Sequence, residues 1–194
     1  ILLIFDEVIT GLGRCGGLTG ADVFGVVPDI MNLAKQLTNG AVPMGAVVAN
    51  SDIYQTFMAQ GGPDYMLEFA HGYTYSAHPV ACAAGLAALD ILEREQLPQR
   101  VAELAPHFED GLHQLAGLPH IADIRNFGFA GALQLEPYPG EPARRPFEVA
   151  MRMWEKGFYV RYGGDTIQLG LPFVIETAQI DSLLAALNDT ILEL

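Results

Sequence analysis

The chain opens on five consecutive apolar residues, Ile1-Leu2-Leu3-Ile4-Phe5, and ends that run abruptly on Asp6-Glu7. The run is too short for a buried helix and shows no in-out alternation. It therefore predicts a strand covered on both faces, as in a parallel sheet. Parallel strands need crossover helices, so an α/β layered architecture follows. Left at a bare edge, such a strand would present unpaired backbone beside apolar side chains. The chain also lacks an initiator Met. It is accordingly read as the C-terminal part of a longer protein, with part of any active site lying upstream.

Half the residues are hydrophobic (51%), enough for a substantial core, and ten basic residues against 23 acidic ones leave a net charge of −13. That balance argues against a non-specific nucleic-acid binder or an anionic-membrane binder. Cys15 and Cys82 are far apart and form no metal-type pair, which fits reduced thiols and a cytoplasmic protein. No apolar run approaches transmembrane length and no signal peptide is visible.

Along the chain, short strands are expected within 28–37 and over 44–49. A short helix is expected over 52–59 with Ser51 as N-cap. The segment 71–78 is a loop entering an almost wholly apolar helix at Pro79. Pro98 then breaks or kinks the path before an amphipathic helix reaching about Leu115. Beyond 118 come a strand pair, 121–127 and 130–135, and a Pro-rich loop. A helix over 147–156 follows, then strands over 158–162 and 166–171 joined through Gly163-Gly164-Asp165. A terminal amphipathic helix spans 176–194. Residues 1–98 thus form part of a mostly parallel α/β layer and 99–194 a small α+β domain.

Only two lysines occur, Lys35 and Lys156. Lys156 precedes Gly157 and suits a helix C-terminus. Lys35 stands among Ile30, Leu33 and Leu37, where poor solvation would favour the neutral, nucleophilic amine. Three readings compete for the chemistry. Gly11-x-Gly13-x-x-Gly16 after a strand nominally matches a dinucleotide loop, but two acids end the strand and no helical pattern follows, so a tight turn accounts for it better. Leu2-Leu3-Ile4-Phe5-Asp6-Glu7 resembles the Mg²⁺-holding strand of a P-loop ATPase, with Glu7 activating water and the P-loop upstream. The third reading joins Asp6 to Lys35. A carboxylate at a strand's carboxyl end lies where open α/β sheets bind ligands. A carboxylate and a lysine together are what a pyridoxal phosphate site requires.

The residues Phe5-Asp6-Glu7-Val8-Ile9-Thr10-Gly11-x-Gly13-Arg14, Pro28-Asp29-Ile30, Ala34-Lys35-x-Leu37-Thr38-Asn39-Gly40, Pro43-Met44-Gly45-Ala46 and His71-Gly72-Tyr73-Thr74-Tyr75-Ser76-Ala77-His78-Pro79 resemble the class III aminotransferases, in the ω-amino acid:pyruvate or β-alanine–pyruvate style. The similarity is co-linear across essentially the whole chain. It implies the C-terminal portion of a fold type I enzyme: part of the large cofactor domain plus the small domain. By this resemblance Lys35 is the Schiff-base lysine and proton shuttle, and Asp6 pairs with the pyridine nitrogen of pyridoxal 5'-phosphate. Val8 packs on the cofactor ring, and Thr74 binds its phosphate across a subunit interface. The same resemblance makes Arg161 a mobile arginine for a substrate carboxylate; its alternative is a sheet-surface arginine paired with Asp165.

Gln36 and Ala77, standing where many relatives have glycine, fit the β-alanine–pyruvate subgroup. Cys15 stands where threonine is common. The histidines suggest structural roles, and no metal is proposed. Arg144-Arg145 reads as a solvated pair in the Pro-rich loop. The implied reaction moves an amino group from an ω-amino acid such as β-alanine, or an amine, to pyruvate, in a homodimer or homotetramer with shared sites. Alternatives are a γ-aminobutyrate or diamine aminotransferase, an aminomutase or a lyase. Another is a chain inactive alone because the phosphate-binding Gly/Ser loop and ring-stacking aromatic lie upstream.

Overall fold

β1 (Ile4–Asp6) hydrogen-bonds in parallel to β2 (Ile30–Leu33), pairing Ile4 with Ile30, Phe5 with Met31 and Asp6 with Asn32. Between them the chain turns through a Gly-rich loop and then forms a short helix, α1 (Gly20–Phe24). A computed structural model describes all residues, 1–194, and divides them into two compact units. The first comprises Ile1–Gly13 with Gly17–Gln96, and the second Arg14–Gly16 with Leu97–Leu194.

In the first unit, β2 runs into a 3-10 turn (Lys35–Thr38), and β3 (Ala46–Ala49) returns antiparallel, giving the sheet order β1-β2-β3. One aspartate ties the strand ends together. Asp29 accepts from Leu3 N at 2.7 Å through one oxygen and from the Asn50 amide at 2.8 Å through the other. Asn50, not Ser51, caps α2 (Ser51–Gln60), its side-chain oxygen accepting from Ile53 N at 3.0 Å. Either residue type can cap, and the chain places Asn50 in the extended conformation that the position requires. The long helix α3 (Pro79–Arg94) starts on Pro79, with His78 as its cap. Its buried stripe, Ala81, Gly85, Ala88 and Leu92, rests partly on the 3-10 turn. A Cβ at Gly85 would stand 3.4 Å from the Leu37 carbonyl and 3.5 Å from Met44 Sδ, so a small residue lets the helix approach this closely.

The apolar opening run is not buried on both faces in this chain. β1 is an edge strand with Ile4 55% exposed. Its second hydrogen-bonding edge has no neighbour among the 194 residues.

The second unit is better packed. α4 (Leu97–His113) leads to the hairpin β4 (Ile121–Phe127) and β5 (Ala130–Leu135). Then come α5 (Arg144–Glu155), β6 (Arg161–Gly163), β7 (Thr166–Gly170) and α6 (Thr177–Leu192). The antiparallel order is β4-β5-β7-β6. Helix α6 packs on α4 and α5, α4 lies on β4, and α5 lies on β6 and β7, burying Phe108, Leu112, Phe129, Leu133, Met153, Ile167 and Leu187. Arg14 serves this core from a distant part of the chain. Its guanidinium donates to the carbonyls of Phe129 and Leu171 and lies 4.7 Å from the Phe173 ring centroid. Burial pushes its pKa below the ordinary arginine value, with the Cys15 thiol opposing. Lys156 follows α5 and pairs with both Glu193 oxygens at 3.1 Å.

Candidate active site

Parallel pairing brings Asp6 and Lys35 to the same end of the sheet. Asp6 is the last residue of β1 and pairs with Asn32 of β2, and Lys35 follows β2 within three residues. Glu7 N donates to the Asn32 carbonyl at 2.9 Å and so continues the register past Asp6. Both side chains are exposed at the carboxyl ends of neighbouring parallel strands. One Asp6 oxygen accepts from Val8 N at 3.1 Å, and the other has no partner in the chain.

The backbone at Lys35 is unusual. Its φ is +46°, a left-handed conformation for a residue with a side chain. Such a conformation costs roughly 1–3 kcal/mol and persists only where the surroundings enforce it. Here they do. Leu37 N donates to the Ala34 carbonyl at 3.0 Å, Gly40 N to the Lys35 carbonyl at 3.3 Å, and the Thr38 hydroxyl to the Val42 carbonyl at 2.5 Å. Leu37 and Thr38 are buried beneath α3. The strained turn projects Lys35 outward while its neighbours point in. The desolvation expected from Ile30, Leu33 and Leu37 is therefore absent, because Leu37 turns into the unit while Ile30 and Leu33 stay in β2.

Val8 is half-buried in the turn beyond β1, and the hydrogen bond from its N–H to Asp6 links the two. Thr74 is exposed in the loop before α3, in a turn whose Tyr73 N donates to Ser76 Oγ at 2.9 Å. The helix start itself is closed by His78, whose Nδ1 accepts from Val80 N at 3.3 Å. Thr74 lies ahead of that cap, and its hydroxyl is unengaged.

Arg161 stands in the second unit, exposed on β6. Asp165 does not pair with it. That carboxylate accepts from Thr166 Oγ1 at 2.9 Å and from the Gln134 amide at 2.9 Å, hydrogen bonds that hold it below its ordinary pKa. Arg161 helps line a cavity of about 330 Å³ with Met151, Trp154, Tyr159 and Tyr162.

Glu7 has a role that the sequence did not reveal. It is 2% exposed, and its oxygens accept from Gly20 N at 3.0 Å, Ala21 N at 2.9 Å and Thr10 Oγ1 at 2.5 Å. A carboxylate at a helix N-terminus satisfies otherwise orphaned N–H groups. Glu7 is therefore buried and engaged at both oxygens, a structural role that does not suit the water-activating base of the ATPase reading. The sequence held one clue, Thr19 three residues before Asp22. This pair forms the capping box that starts α1 where no helix was expected. The five-residue α1 is too short to show a helical apolar pattern after Gly16. Of the Arg144-Arg145 pair only Arg144 is solvated; Arg145 is buried.

Residues 1–191 match the Aminotransferase class-III family model. The chain is 61% identical over 191 residues to a β-alanine–pyruvate aminotransferase of Pseudomonas aeruginosa, covering 98% of this chain and 43% of that protein. It is 59% identical to an ω-amino acid–pyruvate aminotransferase of Pseudomonas putida, covering 98% of this chain and 42% of that protein. An amine transaminase from an uncultivated Pseudomonas species, solved in PLP-bound form, superposes with a TM-score of 0.92 at 36% identity, covering all of this chain and 45% of the other. The chain thus spans less than half the length of the curated relatives it matches, and has the fold of that portion of a fold type I transaminase. This chain belongs to the class-III aminotransferases.

Proposed function

We propose that the full-length protein is a pyridoxal-phosphate-dependent aminotransferase moving an amino group from an ω-amino acid such as β-alanine, or an amine, to pyruvate. The observation carrying this reading is the exposed Asp6 carboxylate and Lys35 amine at the carboxyl ends of adjacent parallel strands. The donor set fits the cofactor: an amine for its aldehyde and a carboxylate oxygen without another partner for a protonated pyridine nitrogen. The identity to pyruvate aminotransferases supports the substrate class.

In this assignment Lys35 Nζ would hold the cofactor through its aldehyde. The Lys35 amine would take a proton from the donor carbon and return it as an acid. Asp6, anchored by the Val8 N–H, would present its second carboxylate oxygen to the pyridine end, and Val8 would pack on the ring. Thr74 donates its hydroxyl to the phosphate, from the neighbouring subunit of a homodimer or homotetramer. Arg161 forks onto a substrate carboxylate. When bound, pyridoxal phosphate supplies the electron sink for the substrate carbon. We assign residues 1–98 to the cofactor-binding large domain and 99–194 to the small domain, in a cytoplasmic enzyme.

The test uses the full-length protein, incubated with pyridoxal phosphate, reduced with borohydride and mapped by peptide mass. A phosphopyridoxyl group on Lys35 is the expected result. A folded protein with no adduct there overturns the assignment.

A further inference from the structure

Thr38 closes the turn that carries Lys35. Its side chain is buried, 3% exposed, and Oγ1 donates to the Val42 carbonyl at 2.5 Å. Its own carbonyl accepts from Ala41 N at 3.0 Å. Thr38 therefore fastens residues 38–42 twice, once through its main chain and once through its side chain. Gly40 lies inside that loop, and Gly40 N donates to the Lys35 carbonyl at 3.3 Å. On the other side of Lys35, the Ala34 carbonyl accepts from Leu37 N at 3.0 Å. Lys35 is thus bracketed by two peptide groups that are each held by the buried part of the turn. Its left-handed φ of +46° satisfies both.

That φ decides where the side chain goes. Rotation in φ turns the residue about its N–Cα bond. With β2 fixed, relaxation from +46° to an ordinary helical φ of about −63° would swing Cβ through roughly 110°. The amine would then leave the end of the sheet where Asp6 stands. A residue with a side chain does not hold a positive φ unaided, so the surroundings must impose it. Within residues 34–42 the Thr38 hydroxyl makes the one side-chain hydrogen bond that closes the turn. We propose that Thr38 is a positioning residue for Lys35: its hydroxyl holds the left-handed turn that aims the amine at the cofactor. This rests on the aminotransferase reading above, and Thr38 acts only through Lys35.

The experiment uses the full-length protein and two readouts. The first needs no cofactor. Thermal midpoints are compared for Lys35→Gly and Lys35→Ala, in the wild-type background and with Thr38→Val, which keeps the side chain's shape and loses the hydroxyl. Glycine takes a positive φ without strain, so Lys35→Gly should melt a few degrees above Lys35→Ala. With Thr38→Val that gap should close, because the conformation is no longer imposed. The second readout is the rate at which borohydride traps pyridoxal phosphate on Lys35. Thr38→Val should slow trapping at least tenfold, and Thr38→Ser, which keeps the hydroxyl, should restore it. Thr38→Ala takes the place of Thr38→Val if the latter does not fold. The proposal is overturned by a missing gap, by a gap that persists without the hydroxyl, by trapping as fast as wild type in Thr38→Val, or by Thr38→Ser trapping as slowly as Thr38→Val. No adduct on Lys35 of the wild-type protein overturns the aminotransferase reading, and the proposal with it.

Discussion

At the residue scale, three side chains answer to different demands. Lys35→Ala in the full-length enzyme should abolish transamination, read as loss of pyruvate-dependent amino transfer with the fold retained by circular dichroism. Retained turnover would remove Lys35 from the mechanism. Glu7 is structural and should behave differently. Glu7→Ala leaves the N–H groups of Gly20 and Ala21 without their buried acceptor. The loss should be about 2–3 kcal/mol in denaturant unfolding. Asp165 offers a test in pH. Its folded pKa is held below the ordinary 3.8 by Thr166 first and Gln134 second. Its stabilising effect is therefore full above pH ~4 and is lost as pH falls through the lowered folded value. Asp165→Asn should remove that part of the acid dependence in a pH series of melting temperatures.

At the scale of elements, legibility followed periodicity. The hairpin strands Ile121–Phe127 and Ala130–Leu135 were readable to the residue because alternation and Gly128 bound them. The Pro79 helix was readable because proline fixes its first turn. The motif also placed Asp6 and Lys35 at strand ends, and the apolar opening run pointed to a parallel strand, but the register that pairs Asp6 with Asn32 is seen only in the structure. What stayed hidden was nonlocal or conformational. The left-handed φ at Lys35 leaves no compositional trace, since glycine usually marks that region and none stands there. The start of α1 depends on Glu7, thirteen residues earlier than the Gly20 N–H it receives. Gly131 is a further case. A Cβ there would stand 2.8 Å from Phe108 Cζ and 3.0 Å from Leu112 Cδ2, both fully buried. Gly131→Ala should force the α4 ring off its seat and cost roughly 1–3 kcal/mol, measured by chemical denaturation. An unchanged midpoint would mean that α4 shifts freely over β5.

At the scale of the whole molecule, the two units differ in how much they seal. The first leaves Ile4, Val47, Tyr65, Leu67, Tyr73 and Leu86 exposed, and β1 keeps an open edge. The second has many side chains with no exposure at all. Hydrogen exchange on the 194-residue polypeptide should therefore find the slowest amides in β5 and β7 and faster exchange in β1 to β3. Sedimentation should show concentration-dependent association through the exposed apolar surface and open edge. A monodisperse monomer with uniform protection would contradict both expectations. Because Arg14 to Gly16 belong to the second unit while the rest of that unit starts at Leu97, no single cut of the gene releases it intact. An expression boundary drawn at Leu97 discards the guanidinium strut under Phe129 and Leu171. A circular permutant that carries the Arg14 tripeptide beside its new terminus would preserve it.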